Sequence, residues 1–278
     1  MTVGAPSDPP LLLKARDTHN GVVRGIRPAR DTLKYPVSEG KGEFRVGTSG
    51  WQYDHWTEIF YPKDLPKSRW FEHYAQHFDT VEVNNTFYHL PQESTFDHWH
   101  DKAPQGFVYT LKFSRYGSHI KRLKEPAATI GLFMERAGRL GEFLGPILVQ
   151  LAPQFEVNVE RLEEFLTEAP RSQRWALEFR NPTWLCDEVY QTLRRHKAAL
   201  CIHDQIADHA RMVTSDWVYL RFHGPAGGKY TAAHLRQQAK HVQEYLAQGL
   251  DVFAYFNNDS HGYALADATD LRRLVKKA

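Results

Sequence analysis

Five ionisable residues sit at the carboxyl ends of short apolar runs: Glu82, Lys112, Glu178, Arg180 and Arg221. Two carboxylates serve as general acid and base when burial holds their pKa values apart, so Glu82 and Glu178 are the candidate proton-transfer pair. Lys112 joins them as a candidate catalytic cation. Arginine presents a planar fork matched to carboxylate or phosphate, so Arg180 and Arg221, together with Lys112, form the expected clamp for an anionic small molecule. So many charges in one place are costly to desolvate without pairing or a ligand. The alternative is structural: bridges such as Glu82–Lys112 or Glu178–Arg221 that close the top of a core.

The elements that must position these groups follow from hydrophobic period. Eight apolar runs read as strands, over 44–48, 79–84, 107–113, 146–151, 174–180, 198–203, 217–223 and 251–257. Helical patterns lie between them near 69–78, 127–143, 158–168, 186–197, 231–248 and 265–276, with a short extra helix at 94–102. The stretch after the sixth strand is too short for a full helix. Strands alternating with helices predict an α/β fold, a parallel (β/α)8 TIM-type barrel over residues 43–278. A doubly wound open sheet is the competitor, but its Gly-rich phosphate turn is missing after strand one.

In a barrel, alternate strand residues face the helices and the interior. Phasing each strand by its larger apolar set turns Glu82 and Asn84 inward, then Thr110 and Lys112, Gln150, Glu178 and Arg180. It does the same for Cys201 and His203, Arg221 and His223, and Tyr255 and Asn257. The polar members fall at the carboxyl ends of their strands, where barrel enzymes carry their chemistry. Asn84, Gln150, His203, His223, Tyr255 and Asn257 are therefore expected to bind or orient substrate. The loop after strand one, Gly47-Thr48-Ser49-Gly50-Trp51, adds the hydroxyls of Thr48 and Ser49, and its glycines allow close backbone approach to a ligand. Trp51 and Tyr53 offer rings to stack on a sugar or base, with a hydrophobic cap as the alternative.

Glu82, Glu178, His203 and His223 are also acceptable ligands for a divalent metal, but Lys112, Arg180 and Arg221 oppose a cation. No metal or other cofactor is expected. No HExxH, nucleophile elbow, Walker loop or dinucleotide fingerprint occurs.

A net charge of +2 gives no global attraction to nucleic acid or membrane, and no apolar run is long enough to span a bilayer. Cys186 and Cys201 have neither CxxC spacing nor the density of a disulfide scaffold, which predicts a reducing, cytoplasmic setting. Residues 1–42 carry five prolines, seven Lys/Arg and four Asp/Glu without sustained apolar period, and read as a flexible tail.

Several motifs resemble the YecE-like barrels, a family classed as a domain of unknown function. They are Gly47-Thr48-Ser49-Gly50-Trp51, Phe60-Tyr61-Pro62, Val81-Glu82-Val83-Asn84 with Thr86-Phe87-Tyr88, Lys112, and Gln150-Leu151-Ala152-Pro153. Glu178-Phe179-Arg180 with Trp184, Arg221-Phe222-His223-Gly224 and Phe256-Asn257-Asn258-Asp259 complete the set. Ser118-His119 stands where the family tends to have Thr-His, and Thr183 stands where Ser is usual; both keep a hydroxyl. The resemblance covers about residues 44–275, implies a TIM-type barrel, and draws His119 toward the site. It supplies no reaction, and its likeness to barrel endonucleases and sugar isomerases is fold-level analogy. The expected function is binding, with transformation by a hydrolase or an isomerase/lyase, of a phosphorylated or carboxylated small molecule. The alternatives are a nucleic-acid-binding protein or metal-dependent phosphodiesterase, and a non-catalytic metabolite-binding barrel.

Overall fold

The computed structural model describes residues 42–277. The tail expected over residues 1–42 lies outside the described residues except for Gly42. All eight expected strands form: β1 Phe44–Thr48, β2 Thr80–Val83, β3 Val108–Lys112, β4 Leu144–Gln150, β5 Trp175–Glu178, β6 Ala199–His203, β7 Trp217–Phe222 and β8 Asp251–Phe256. Every hydrogen-bonded pair is parallel, in the order β1-β8-β7-β6-β5-β4-β3-β2. The sheet curls into a barrel that is closed except for a seam between β1 and β2.

That seam explains the first glycine of the opening motif. A Cβ on Gly47 would stand 2.3 Å from the Thr80 carbonyl oxygen, so the close approach Gly47 permits is to β2 and not to a ligand. The buried Tyr74 hydroxyl bridges the gap, accepting from the Thr48 amide at 3.1 Å and donating to the Thr80 carbonyl at 3.0 Å.

The helices are α1 Trp70–Ala75, α2 Asn85–Tyr88, α3 Glu93–Lys102, α4 Pro126–Ala137, α5 Val159–Glu168, α6 Asp187–Arg195, α7 Ala232–Ala247 and α8 Tyr263–Lys276. Local chemistry sets several of their starts. Asn158 accepts from the Arg161 amide at the head of α5, Thr231 does the same for His234 on α7, and Pro126 opens α4. The expected helix over 127–143 ends at Ala137 and continues as 3-10 turns, and α2 was not expected. No helix forms between β6 and β7. There Thr214 takes over the pairing, donating to the Ala198 carbonyl and accepting from the Leu200 amide.

Two hydrophobic layers result. The larger packs the outward faces of the strands, including Val81, Leu111, Leu177 and Leu220, against the helices. The smaller fills the barrel with Leu148, Ala176, Ala199, Cys201, Trp217, Tyr219, Phe253 and Tyr255, as period-two phasing requires. Among the described residues no helix is long and apolar enough to cross a membrane.

Candidate functional site

Directly above the interior layer, at the carboxyl ends of the strands, a ring of charges is organised around Arg221, which is 1% exposed. Arg221 donates Nε to Glu82 Oε2 at 2.9 Å, Nη2 to Glu82 Oε1 at 2.7 Å and Nη1 to Glu178 Oε2 at 2.6 Å. The Tyr219 hydroxyl donates to Glu82 Oε2 at 2.6 Å. Glu178 also accepts from Arg180 Nε, from Gln150 Nε2 at 2.7 Å and from the Cys201 thiol at 3.8 Å. Burial alone raises a carboxylate pKa, but here the Arg221 charge and hydrogen bonds outweigh it. Glu82 is lowered, and Glu178, beside two guanidinium groups, lies well below the ordinary carboxylate value. Burial therefore does not hold the two glutamates apart as acid and base; Arg221 favours the anion of both, joined at Glu178 by Arg180.

Arg221, expected as part of a clamp for ligand, is consumed by this pairing. Arg180, also expected in the clamp, is half-buried. Its Nη2 lies 2.9 Å from His223 Nε2, and its Nη1 lies 3.4 Å from Gln205 Oε1. His223 Nδ1 is 3.0 Å from Asp204 Oδ1. With guanidinium donors facing Nε2, that nitrogen accepts and Nδ1 carries the proton given to Asp204. Asp204 is held in turn by the Tyr230 hydroxyl and the Gly224 amide. Sequence reasoning gave Asp204 no role. Its signal was its position immediately after β6, beside a strand carrying His223.

Lys112 is different. It is 7% exposed, and it makes no ion pair to a carboxylate among the described residues. Its Nζ donates to Gln150 Oε1 at 3.1 Å and lies 4.2 Å from the centre of the Phe87 ring. Burial, with Arg221 nearby, lowers its pKa from 10.5 to about 8. Across the same ring stands His119, whose imidazole meets Phe87 edge-on at 4.9 Å. Burial and the charges of Lys112 and Arg115 push His119 down to about 4, so it is neutral at pH 7. The resemblance drew His119 toward the site, and the structure brings it there on a π-turn over Tyr116–Ile120.

On the other flank, Ser49 and Asn84 line a cleft of about 330 Å³ with Tyr53 and Tyr88. The buried Ser49 hydroxyl has no hydrogen-bond partner of normal geometry, although it lies near enough to Glu82 to favour its charged form. Asn84 donates Nδ2 to the Ser49 carbonyl at 3.3 Å, while its buried Oδ1 has no partner. Asn257 is half-buried at the end of β8.

Other expected ligand contacts are engaged elsewhere. Trp51 is 4% exposed and packs edge-on against Phe71 and Trp99, and it also lines the Ser49–Asn84 cleft. Tyr53 packs on Trp56 and donates its hydroxyl to the Ser49 carbonyl at 2.6 Å. Thr48 is buried and donates to the Gly50 carbonyl at 2.7 Å. Tyr255 lies a layer below the mouth, its hydroxyl 2.7 Å from both Thr80 Oγ1 and Thr110 Oγ1. His203 has both ring nitrogens in use: Nε2 donates to the Phe179 carbonyl at 2.8 Å and Nδ1 accepts from the Gln205 amide. Burial lowers its pKa to about 4. Of the four residues offered as metal ligands, Glu82 and Glu178 are paired with Arg221, both His203 nitrogens are hydrogen-bonded, and His223 lies between Arg180 and Asp204. Among the described residues no group of three or more His, Cys, Asp or Glu is arranged to hold a metal ion.

Comparison with known proteins agrees with this architecture. The chain is 26% identical over 275 residues to the UPF0759 protein YunF of Bacillus subtilis (strain 168), covering 83% of this chain and 94% of that one. It is 27% identical over 152 residues to the UPF0759 protein YecE of Escherichia coli (strain K12), covering 54% and 53%. The crystal structure of a DUF72 family protein, TM1631 of Thermotoga maritima MSB8, superposes with a TM-score of 0.76 at 26% identity, over 84% of this chain and 99% of that one. A second DUF72 family protein, EF0366 of Enterococcus faecalis V583, gives 0.71 at 21% identity, over 84% and 95%. Residues 45–278 match the family model described as protein of unknown function DUF72, and the chain belongs to that family.

Proposed function

We propose that the barrel binds a small anionic molecule, phosphorylated or carboxylated, at its C-terminal mouth, with Lys112 as the charge that receives it. One observation carries the reading. Lys112 is the buried cation of the ring that lacks a carboxylate, whereas Arg221 and Arg180 are both paired. A buried unpaired ammonium is costly, and an incoming anion supplies the missing partner. Gln150 fixes the amine from below. Neutral His119 shares the Phe87 ring with the amine, and Ser49 and Asn84 line the polar cleft on the other flank, uncharged groups suited to the rest of a small polar ligand.

The pairing of both glutamates moves proton transfer away from them. An amine with a pKa of about 8 exchanges protons near neutral pH, so Lys112 is the group suited to acid/base work. Reaction classes compatible with that role are isomerase/lyase and hydrolase chemistry. The test is calorimetric titration of wild type and Lys112→Met with inorganic phosphate, acetate and a sugar phosphate. Binding to wild type that weakens at least tenfold in the variant is expected. No binding to wild type, or equal binding to both, overturns the reading.

A second reading has its own observation. The loop between β3 and α4 carries Arg115, Lys121, Arg122 and Lys124 together with the exposed Tyr116, a basic and aromatic segment that suits a nucleic-acid backbone. It predicts binding to single-stranded DNA or RNA that falls steeply with salt.

A further inference from the structure

Beside the mouth lies a groove of about 380 Å³ between α2 and α4, walled by Phe87, Tyr88 and Leu90 on one side and by Leu132 and Phe133 on the other. Its rim exposes large apolar side chains: Tyr88 is 65% exposed, Tyr116 54% and Leu132 53%. Such side chains gathered around one hollow, rather than scattered singly, mark a binding surface.

We infer that the ligand of the mouth is amphiphilic, an anionic head joined to an alkyl or aryl portion that lies in this groove. The inference rests on the anion reading above and adds the substrate class. Continuity between the two places supports it. The Phe87 ring lines the groove and also sits 4.2 Å from the Lys112 amine. Tyr88 lines both the groove and the polar cleft that holds Ser49 and Asn84. One aromatic wall therefore separates a site that needs an anion from a hollow that needs apolar surface.

Charge sets the direction of the ligand. The charged side chain lining the groove is Glu125, paired with Lys121 at 2.8 Å, so the lining offers an anionic head no cation of its own. The head goes to Lys112 and the apolar portion crosses Phe87 toward Leu132. The groove's volume lies within the range of small-molecule sites, and its aromatic lining suits an apolar chain or ring.

The probes are inorganic phosphate and n-butyl, n-hexyl and n-octyl phosphate, titrated calorimetrically into the full-length protein below micellar concentrations. Affinity is expected to rise about two- to fourfold per methylene, less than full burial gives at the open end of the groove. Leu132→Glu places a charge in the groove from an exposed helical position that tolerates substitution. It is expected to lower the ratio of octyl phosphate to phosphate affinity at least tenfold. A flat chain-length series with phosphate still bound overturns the amphiphile and leaves the anion reading standing; coverage of the groove by a second copy of the chain would give this outcome. An unchanged ratio in Leu132→Glu overturns it too, because the tail then lies elsewhere. Failure of phosphate and of every alkyl phosphate to bind wild type overturns the anion reading itself.

Discussion

Replacing Lys112 by Met is expected to make the protein more stable at pH 7 while removing its anion binding. Keeping the amine charged in its buried position costs the difference between an ordinary pKa of 10.5 and about 8, or roughly 3 kcal/mol. Methionine is unbranched, of similar reach, and makes a favourable sulfur contact with a ring such as Phe87. Against the gain, Gln150 Oε1 loses the Lys112 donor, which costs about 1–2 kcal/mol. The net expectation is a stabilisation of about 1–2 kcal/mol, visible as a rise in Tm of several degrees for a domain of this size. The advantage depends on pH with a definite sign. The folded pKa lies below the unfolded one, so between about 8 and 10.5 the unfolded chain binds more protons and wild-type stability rises with pH. The gap between variant and wild type should be constant well below pH 8, shrink above it, and reverse by about pH 10.5, where wild type has regained roughly 3 kcal/mol. Urea unfolding of both proteins at pH 7, 9 and 10.5 measures it. If Lys112→Met is a kilocalorie or more less stable at pH 7, the amine is a structural element and the reasoning fails.

The other predictions concern the frame around that amine. Arg221→Met leaves Glu82 buried without its arginine and Glu178 with Arg180 as its remaining cation, and should destabilise by about 3–5 kcal/mol, with part recovered by adding Glu82→Gln; denaturant midpoints of the single and double variants check this. Because both carboxylates have lowered pKa values in the fold, their contribution is present above the ordinary value of 4.5 and is lost as pH falls through the folded values. Acid unfolding of wild type should therefore be steeper than that of the Arg221→Met, Glu82→Gln double variant. Trp51→Ala should cost about 3–5 kcal/mol through lost packing against Phe71 and Trp99, and the molecules that remain folded should bind anion as wild type does.

Much of the frame was legible because it rests on period. Eight apolar runs placed the strands, and phasing each by its apolar set brought Glu82, Lys112, Gln150, Glu178 and Arg221 to one level. Period does not say which charge pairs with which. Arg221 was read as facing a ligand, with a Glu178–Arg221 bridge as the alternative; that bridge forms, and Glu82 pairs with Arg221 as well and not with Lys112. Nor does period separate layers: Tyr255 has the phase of the site but sits one step lower, among Thr80 and Thr110. Ring type was equally silent about Trp51, since an aromatic side chain suits a core and a binding wall alike. Asp204 and Phe87 lie just beyond strand ends, where alternation stops carrying information. His119 lies on a loop and was reached only through the motif resemblance.

The central claim is that Lys112 is the mouth's buried, unpaired cation and that an anion completes it. An NMR titration of the Lys112 side chain, with and without saturating phosphate, tests this most directly. A midpoint near pH 8 in the free protein that moves upward when phosphate is bound is expected. A midpoint near 10.5, or one that phosphate leaves unmoved, would contradict it.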